Sequence, residues 1–186
     1  MTLKNIALLL LLNVLAGCAS VDFDYPKTES SALSGTQDTF LAEHFRGAGG
    51  GYPENYAGFQ TLSDGIDALA IRLALADRAE KSIDAQYYLL KKGVTGQAFL
   101  YSLLKAADRG VRVRLLLDDM FTGGYDAGMA GLNTHPNIEI RIFNPFASRS
   151  ARFMDGVTGF SRINRRMHNK SFTVDNQVTV IGGRNI

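Results

Sequence analysis

The stretch that decides the fold is Arg165–Ile186, RRMHNKSFTVDNQVTVIGGRNI. In a strand, side chains alternate, so residues two apart share a face. His168, Lys170, Phe172 and Val174 therefore point one way, and Asn169, Ser171 and Thr173 the other. This places an imidazole and an ammonium side by side. Asp175-Asn176 then turns the chain, and QVTVI returns as the second strand of a hairpin. Gly182 and Gly183 follow, and the missing side chains let a phosphate come close to the backbone. Asn185 adds a neutral donor. A neutral imidazole is a nucleophile or a base at neutral pH. A neighbouring lysine supplies positive charge to a substrate oxyanion. Together they fit attack on phosphorus, where charge stabilisation is most of the protein's work. One histidine with no cysteine beside it does not make a zinc site, so neither metal nor cofactor is expected.

Upstream, the apolar pattern alternates between helical and extended periods. Ser63 is placed as the cap of a helix carrying Ile66, Leu69, Ala70, Leu73 and Ala76 at helical spacing. SIDAQYYLL (82–90) reads as a strand with Ile83, Ala85, Tyr87 and Leu89 on one face. Thr95 is placed as the cap of a second helix through Leu100, Leu103, Leu104 and Ala107, stopped by Gly110. VRVRLLLDD (111–119) is the next strand, with a C-terminal half apolar enough to be buried. A short helix from Tyr125 to Leu132 precedes a third strand, IEIRIF, closed by Asn144-Pro145. This rhythm predicts an α/β layered fold with a mixed, largely parallel sheet flanked by helices. Ligands in such folds sit beyond the carboxyl ends of the strands. The long loop 146–164 mixes Phe146, Phe153, Met154 and Phe160 with Arg149, Arg152 and Arg162. That mix suits either an amphiphilic anionic partner or surface packing.

The chain has 186 residues, 46% of them apolar and 20% charged, enough for one domain with a real core. Its net charge of +2 is too mild to argue for nucleic acid. Its N-terminus, MTLKNIALLLLLNVLAGCAS, has an apolar run too short to span a membrane and reads as a secretory leader over residues 1–17. Leu15-Ala16-Gly17-Cys18 holds the only cysteine and resembles a bacterial lipobox. That resemblance implies cleavage before Cys18 and its acylation, which would anchor the chain to a membrane. Ala19, where some lipoproteins have aspartate, implies the inner leaflet of the outer membrane, facing the periplasm. Residues 18–60 are rich in Ser, Thr, Gly and Pro and are expected to form a flexible tether with a short helix around Phe40–Phe45. The second half of that stretch reads equally as a loop packed on the domain, and residues 61–186 are expected to be the catalytic lobe.

The spacing H-x-K-x4-D-x6-G-G-x-N resembles the signature of the phospholipase D superfamily. With ALADRAEKSIDAQYYLL and LLKAADRGVRVRLLLDD, the chain looks like the bacterial cardiolipin synthase branch, and its leader suggests the C-type members. The resemblance covers roughly residues 62–186. It implies that His168 is the nucleophile forming a phosphohistidine, or the acid/base partner of one. Lys170 and Asn185 would bind phosphoryl oxygens, Gly182 and Gly183 would shape the phosphate loop, and Asp175 would orient a histidine. Asp118 and Asp119 are near the same cleft, with a structural role the stronger reading.

Members of the superfamily carry two such motifs facing each other, and this chain has one. His44 and His135 lie outside any H-x-K pattern. The expected second lobe is the C-terminal half of a longer protein, or a second copy in a homodimer. The expected substrates are phospholipids, namely phosphatidylglycerol with phosphatidylethanolamine as a candidate co-substrate. The expected reaction is phosphatidyl transfer, with phospholipase D hydrolysis and an inactive lipid-anchored binding module as alternatives. A nuclease is disfavoured and no nucleic acid is expected.

Overall fold

A computed structural model describes residues 5, 22, 24–48, 56–147, 152 and 160–186. The α-helices and strands among the described residues follow in the order α1 (Phe40–Ala48), α2 (Gly65–Arg78), β1 (Ser82–Tyr87), α3 (Val94–Asp108), β2 (Arg112–Asp118), α4 (Asp126–Leu132), β3 (Ile138–Phe143), α5 (Phe160–Ile163), β4 (Lys170–Val174) and β5 (Val178–Ile181). The strands form one sheet in the order β3-β2-β1-β4-β5. β1 pairs parallel with β2 and β2 with β3, while β4 runs antiparallel to both β1 and β5. Only β4 opposes the common direction, so the expected largely parallel sheet is present.

The sheet has two unlike faces. Ile83, Ala85 and Tyr87 of β1 lie beside Val113, Leu115 and Leu117 of β2, in register, and beside Phe172 and Val174 of β4. All of these are 2% exposed or less. α2 and α3 pack on each other and cover this face, with Phe99 of α3 edge-on to both Tyr87 and Phe172. The opposite face carries Asp84, Arg114, Glu139, Arg141, Thr173 and Thr179. Asp84 and Arg114 form a two-pronged ion pair (2.5 and 2.7 Å), and the Thr173 and Thr179 hydroxyls meet at 3.0 Å.

Residues 24–39 run across that polar face, which departs from the expected tether. Arg114 donates to Ser30 Oγ (2.9 Å), Arg141 to the Thr28 carbonyl, and Asn176 to the Leu33 carbonyl (2.6 Å). Thr36, Thr39, Leu41 and Ala42 are buried, and α1 is tied to the lobe by a hydrogen bond from Phe40 N to Glu80 (3.0 Å). The contacts of Thr28, Ser30 and Leu33 are polar, so hydrophobic periodicity did not reveal them, whereas Leu41 of α1 joins the hydrophobic core. The leader 1–17 and Cys18 lie outside the described residues, apart from Asn5.

Two details of α2 also differ from the expectation. Its cap is Asp64, whose carboxylate accepts from Ile66 N (2.7 Å) and Asp67 N (3.4 Å), and not Ser63. Its buried residues are Ala68, Arg72, Leu75 and Ala76, while Ile66 is 79% exposed. Arg72 goes inward because its guanidinium donates to the Tyr87 hydroxyl (2.8 Å) and the Ala68 carbonyl. α3 starts at Val94 after Gly93, with no side-chain cap from Thr95. Gly110 stops it as expected, at φ +95°. Gly96 is required, since a Cβ there would lie 2.2 Å from the Lys91 carbonyl oxygen.

Candidate active site

β4 begins where the parallel strands end. Lys170 stands opposite Tyr87, the last residue of β1, so the His168–Lys170 segment lies at the carboxyl edge of the sheet. β5 returns to the same edge and delivers Gly182, whose N–H donates to the Lys170 carbonyl (3.3 Å).

Lys170, Phe172 and Val174 share the buried face, as alternation requires. His168 precedes the strand and is exposed. The Lys170 ammonium turns back toward it and donates to the His168 carbonyl oxygen (2.9 Å). Both side chains rest on one ring. The His168 imidazole lies 4.8 Å from the Tyr88 ring centroid, and the Lys170 ammonium lies 5.2 Å from it. Lys170 is 5% exposed, and burial lowers its pKa below the ordinary lysine value. No carboxylate of the described residues pairs with it. A buried cation without a counterion is costly to keep. A phosphate oxygen would complete it.

Asn185 holds the neighbouring loop. Its Oδ1 accepts from Leu89 N (3.0 Å), and the next residue pairs with Leu89 and Lys91 through its backbone. That bond fixes the side chain, and the carboxamide NH2 makes no hydrogen bond to the described residues. Gly182 has φ +151°, and the space beside both Gly182 and Gly183 is open within 4 Å of a built Cβ.

Asp175 is not brought to this cluster. It sits at the other end of β4, fully buried, in the hairpin turn. Its carboxylate accepts from Glu80 N (3.0 Å), Lys81 N (2.8 Å) and Ser82 N (2.8 Å). Asp175 and Asn176 have φ of +50° and +53°, the two positive values of a type I′ turn. Within this lobe its partner is therefore the entry to β1, and no histidine.

Asp118 and Asp119 are both buried, and they pin the two feet of the 146–164 loop. Asp119 accepts from Phe146 N (2.7 Å) at its start. Asp118 accepts from Met167 N (2.7 Å) and Arg166 (3.2 Å) at its end, next to His168. The guanidinium groups of Arg152 (4.9 Å) and Arg166 (5.0 Å) both lie over the Phe146 ring. Arg162 donates to the Pro145 carbonyl (2.7 Å). Phe146, Arg152 and Arg162 are thus engaged in holding the loop, which for these three favours packing over contact with an anionic partner. Arg149, Phe153 and Met154 lie outside the described residues.

Sequence reasoning missed Tyr88. Its signal was a second aromatic next to the core-facing Tyr87, on the wrong parity for the core. The other histidines stand apart: His44 stacks on Phe40 in α1, and His135 pairs with Asp108 (3.3 Å). Among the described residues no three His, Cys, Asp or Glu side chains gather as metal ligands, and no helix is long and apolar enough to cross a membrane.

The family described as "Cardiolipin synthase, PLD-like domain" matches residues 73–186. The chain belongs to this family. It is similar to cardiolipin synthase C of Escherichia coli (strain K12), with 53% identity over 129 residues, covering 69% of this chain and 27% of that protein. An uncharacterized Helicobacter pylori protein is 44% identical over 137 residues, covering 71% and 27%. The chain thus spans about a quarter of the length of these two relatives. Two solved structures align with it: NucT from Helicobacter pylori (15% identity, TM-score 0.47, 64% of this chain and 67% of that one) and the phospholipase D family member Nuc from Salmonella typhimurium (24%, 0.41, 62% and 62%).

Proposed function

We propose that this chain is one catalytic lobe of a phospholipid phosphatidyltransferase that makes cardiolipin through a phosphohistidine. The observation that carries this reading is the pairing of an exposed His168 with a buried Lys170 ammonium that has no carboxylate partner among the described residues. Such a cation is free to bind the phosphodiester, and the imidazole beside it is free to attack. The 53% identity to a cardiolipin synthase supports the substrate class.

In the proposed first step, a His168 ring nitrogen attacks the phosphorus of phosphatidylglycerol. A P–N bond forms as the P–O bond to the departing glycerol breaks. Lys170 and the Asn185 amide hold the charge that builds on the non-bridging oxygens. The glycerol oxygen needs a proton, and neither His44 nor His135 is placed to give one. A second lobe would supply it, from the remainder of a longer protein or from a second copy. The hydroxyl of a second phosphatidylglycerol then attacks phosphorus and gives its proton back to the second-lobe group that protonated the glycerol, the P–N bond breaks, and the imidazole is regenerated. The leader sequence supports anchoring through acylated Cys18 to the outer membrane, on the periplasmic side, close to such substrates.

The test supplies phosphatidylglycerol, with and without phosphatidylethanolamine, to the protein in its full reading frame. Cardiolipin and phosphatidic acid are measured for wild type and His168→Ala. A loss of at least ~100-fold is expected, together with loss of an acid-labile phosphoryl label from the protein. Cardiolipin formed by the variant at the wild-type rate would remove the nucleophile.

A further inference from the structure

We infer that Tyr88 is a positioning residue for this site: its ring contacts both the Lys170 ammonium and the His168 imidazole, holding both without adding negative charge. The inference rests on the reading of the site given above. The Lys170 ammonium is 5.2 Å from the ring centroid, and the imidazole centroid is 4.8 Å away at an interplanar angle of 56°. Phe121 meets the same ring edge-on, at 5.3 Å and 88°, and fixes its rotation. Phe121 belongs to the turn that follows Asp118, and Asp118 grips Met167 N, one residue before His168. The ring and the backbone that presents the imidazole are therefore held by the same short segment.

The choice of an aromatic partner has a physical reason. A buried ammonium needs something to hold it in place. A carboxylate would do this most strongly, but it would cancel the charge and repel an incoming phosphodiester. The face of an aromatic ring attracts the cation through its quadrupole and leaves its charge uncancelled for the substrate. The Tyr88 hydroxyl makes no hydrogen bond to the described residues, so the ring is the operative part.

This separates two variants. Tyr88→Phe keeps the ring and is expected to match wild type. Tyr88→Leu removes it and is expected to lower kcat by about 10- to 100-fold through misplacement of the two groups, with KM for phosphatidylglycerol vesicles changed less. Tyr88→Met replaces the leucine variant if that one does not fold. A second readout does not need turnover. In the free protein, the Lys170 ε-methylene protons should show an upfield ring-current shift in NMR spectra. The shift should persist in Tyr88→Phe and vanish in Tyr88→Leu. Wild-type kcat in Tyr88→Leu, an unchanged methylene shift in that variant, or equal damage from Tyr88→Phe would each overturn the inference. His168→Ala runs alongside. Activity surviving in that variant sinks the proposed chemistry, while the NMR shift still decides whether Tyr88 holds Lys170.

Discussion

The two ends of β4 carry the same motif and are built on opposite rules. At its end lies Asp175, fully buried, with both carboxylate oxygens engaged by three backbone N–H groups. At its start lies Lys170, nearly as buried, with one backbone carbonyl and one aromatic ring for company among the described residues. A buried polar group with its partners in place stabilises and specifies the fold. One left short of partners costs stability, and proteins keep such groups where a ligand completes them. By this criterion the motif divides. Its aspartate locks the hairpin to the start of β1, and its histidine and lysine are the pair proposed above to meet the phosphodiester.

The sharpest way to break that division is to remove Asp175. Asp175→Ala orphans three backbone N–H groups and puts alanine at a φ of +50°, where it is strained. A loss on the order of 3–5 kcal/mol is expected in chemical denaturation. Asp175→Asn tolerates the same backbone conformation and keeps one acceptor oxygen, so it should lose roughly half as much. Denaturation of Asp175→Ala within about 1 kcal/mol of wild type would mean that the aspartate is not structural.

The opposite outcome is expected at Lys170. Lys170→Met keeps the length of the stem and removes a desolvated charge. The variant should be as stable as wild type, or more stable by up to about 1 kcal/mol. Phosphodiester turnover should fall by about 100-fold or more, since a donor aimed at the developing charge is gone. Calorimetry and turnover on one preparation would show both. A variant that is clearly destabilised would place Lys170 in the same structural class as Asp175.

Much of the fold was legible because it rests on local pattern. The IEIRIF strand was found at its true bounds, since alternation ends where Asn144-Pro145 breaks it. The Asp175-Asn176 turn was found because those residues tolerate positive φ. What escaped depends on distant partners. The N–H groups that satisfy Asp175 lie 93–95 residues away in sequence, so its chemistry there was invisible. The inward face of α2 was misjudged because Arg72 is buried by one hydroxyl and one carbonyl, which no hydropathy pattern reports. The packing of Thr28, Ser30 and Leu33 was missed for a similar reason. Tyr88 could be noticed by its parity, but only the folded chain shows that it touches both His168 and Lys170.

The smallest effect expected is one of pH, and it tests the unpartnered state of Lys170 directly. Burial holds its folded-state pKa below the ordinary lysine value of 10.5. Between the folded and unfolded values the unfolded chain binds more protons, so this group makes the free protein gain stability as pH rises through that window. Anion binding runs the other way. It needs the protonated form, so affinity for a soluble phosphodiester should begin to fall before pH reaches the ordinary lysine range. The bound anion favours the ammonium and raises its pKa, so binding in that window takes up protons. Titration calorimetry in two buffers of different ionisation enthalpy would detect that uptake. It should vanish in Lys170→Met and persist in Asp175→Asn, because only one end of β4 holds a charge that the fold leaves uncompensated. Equal proton uptake in all three proteins would show that the anion titrates some other group, and that the contrast between the two ends of the strand does not extend to binding.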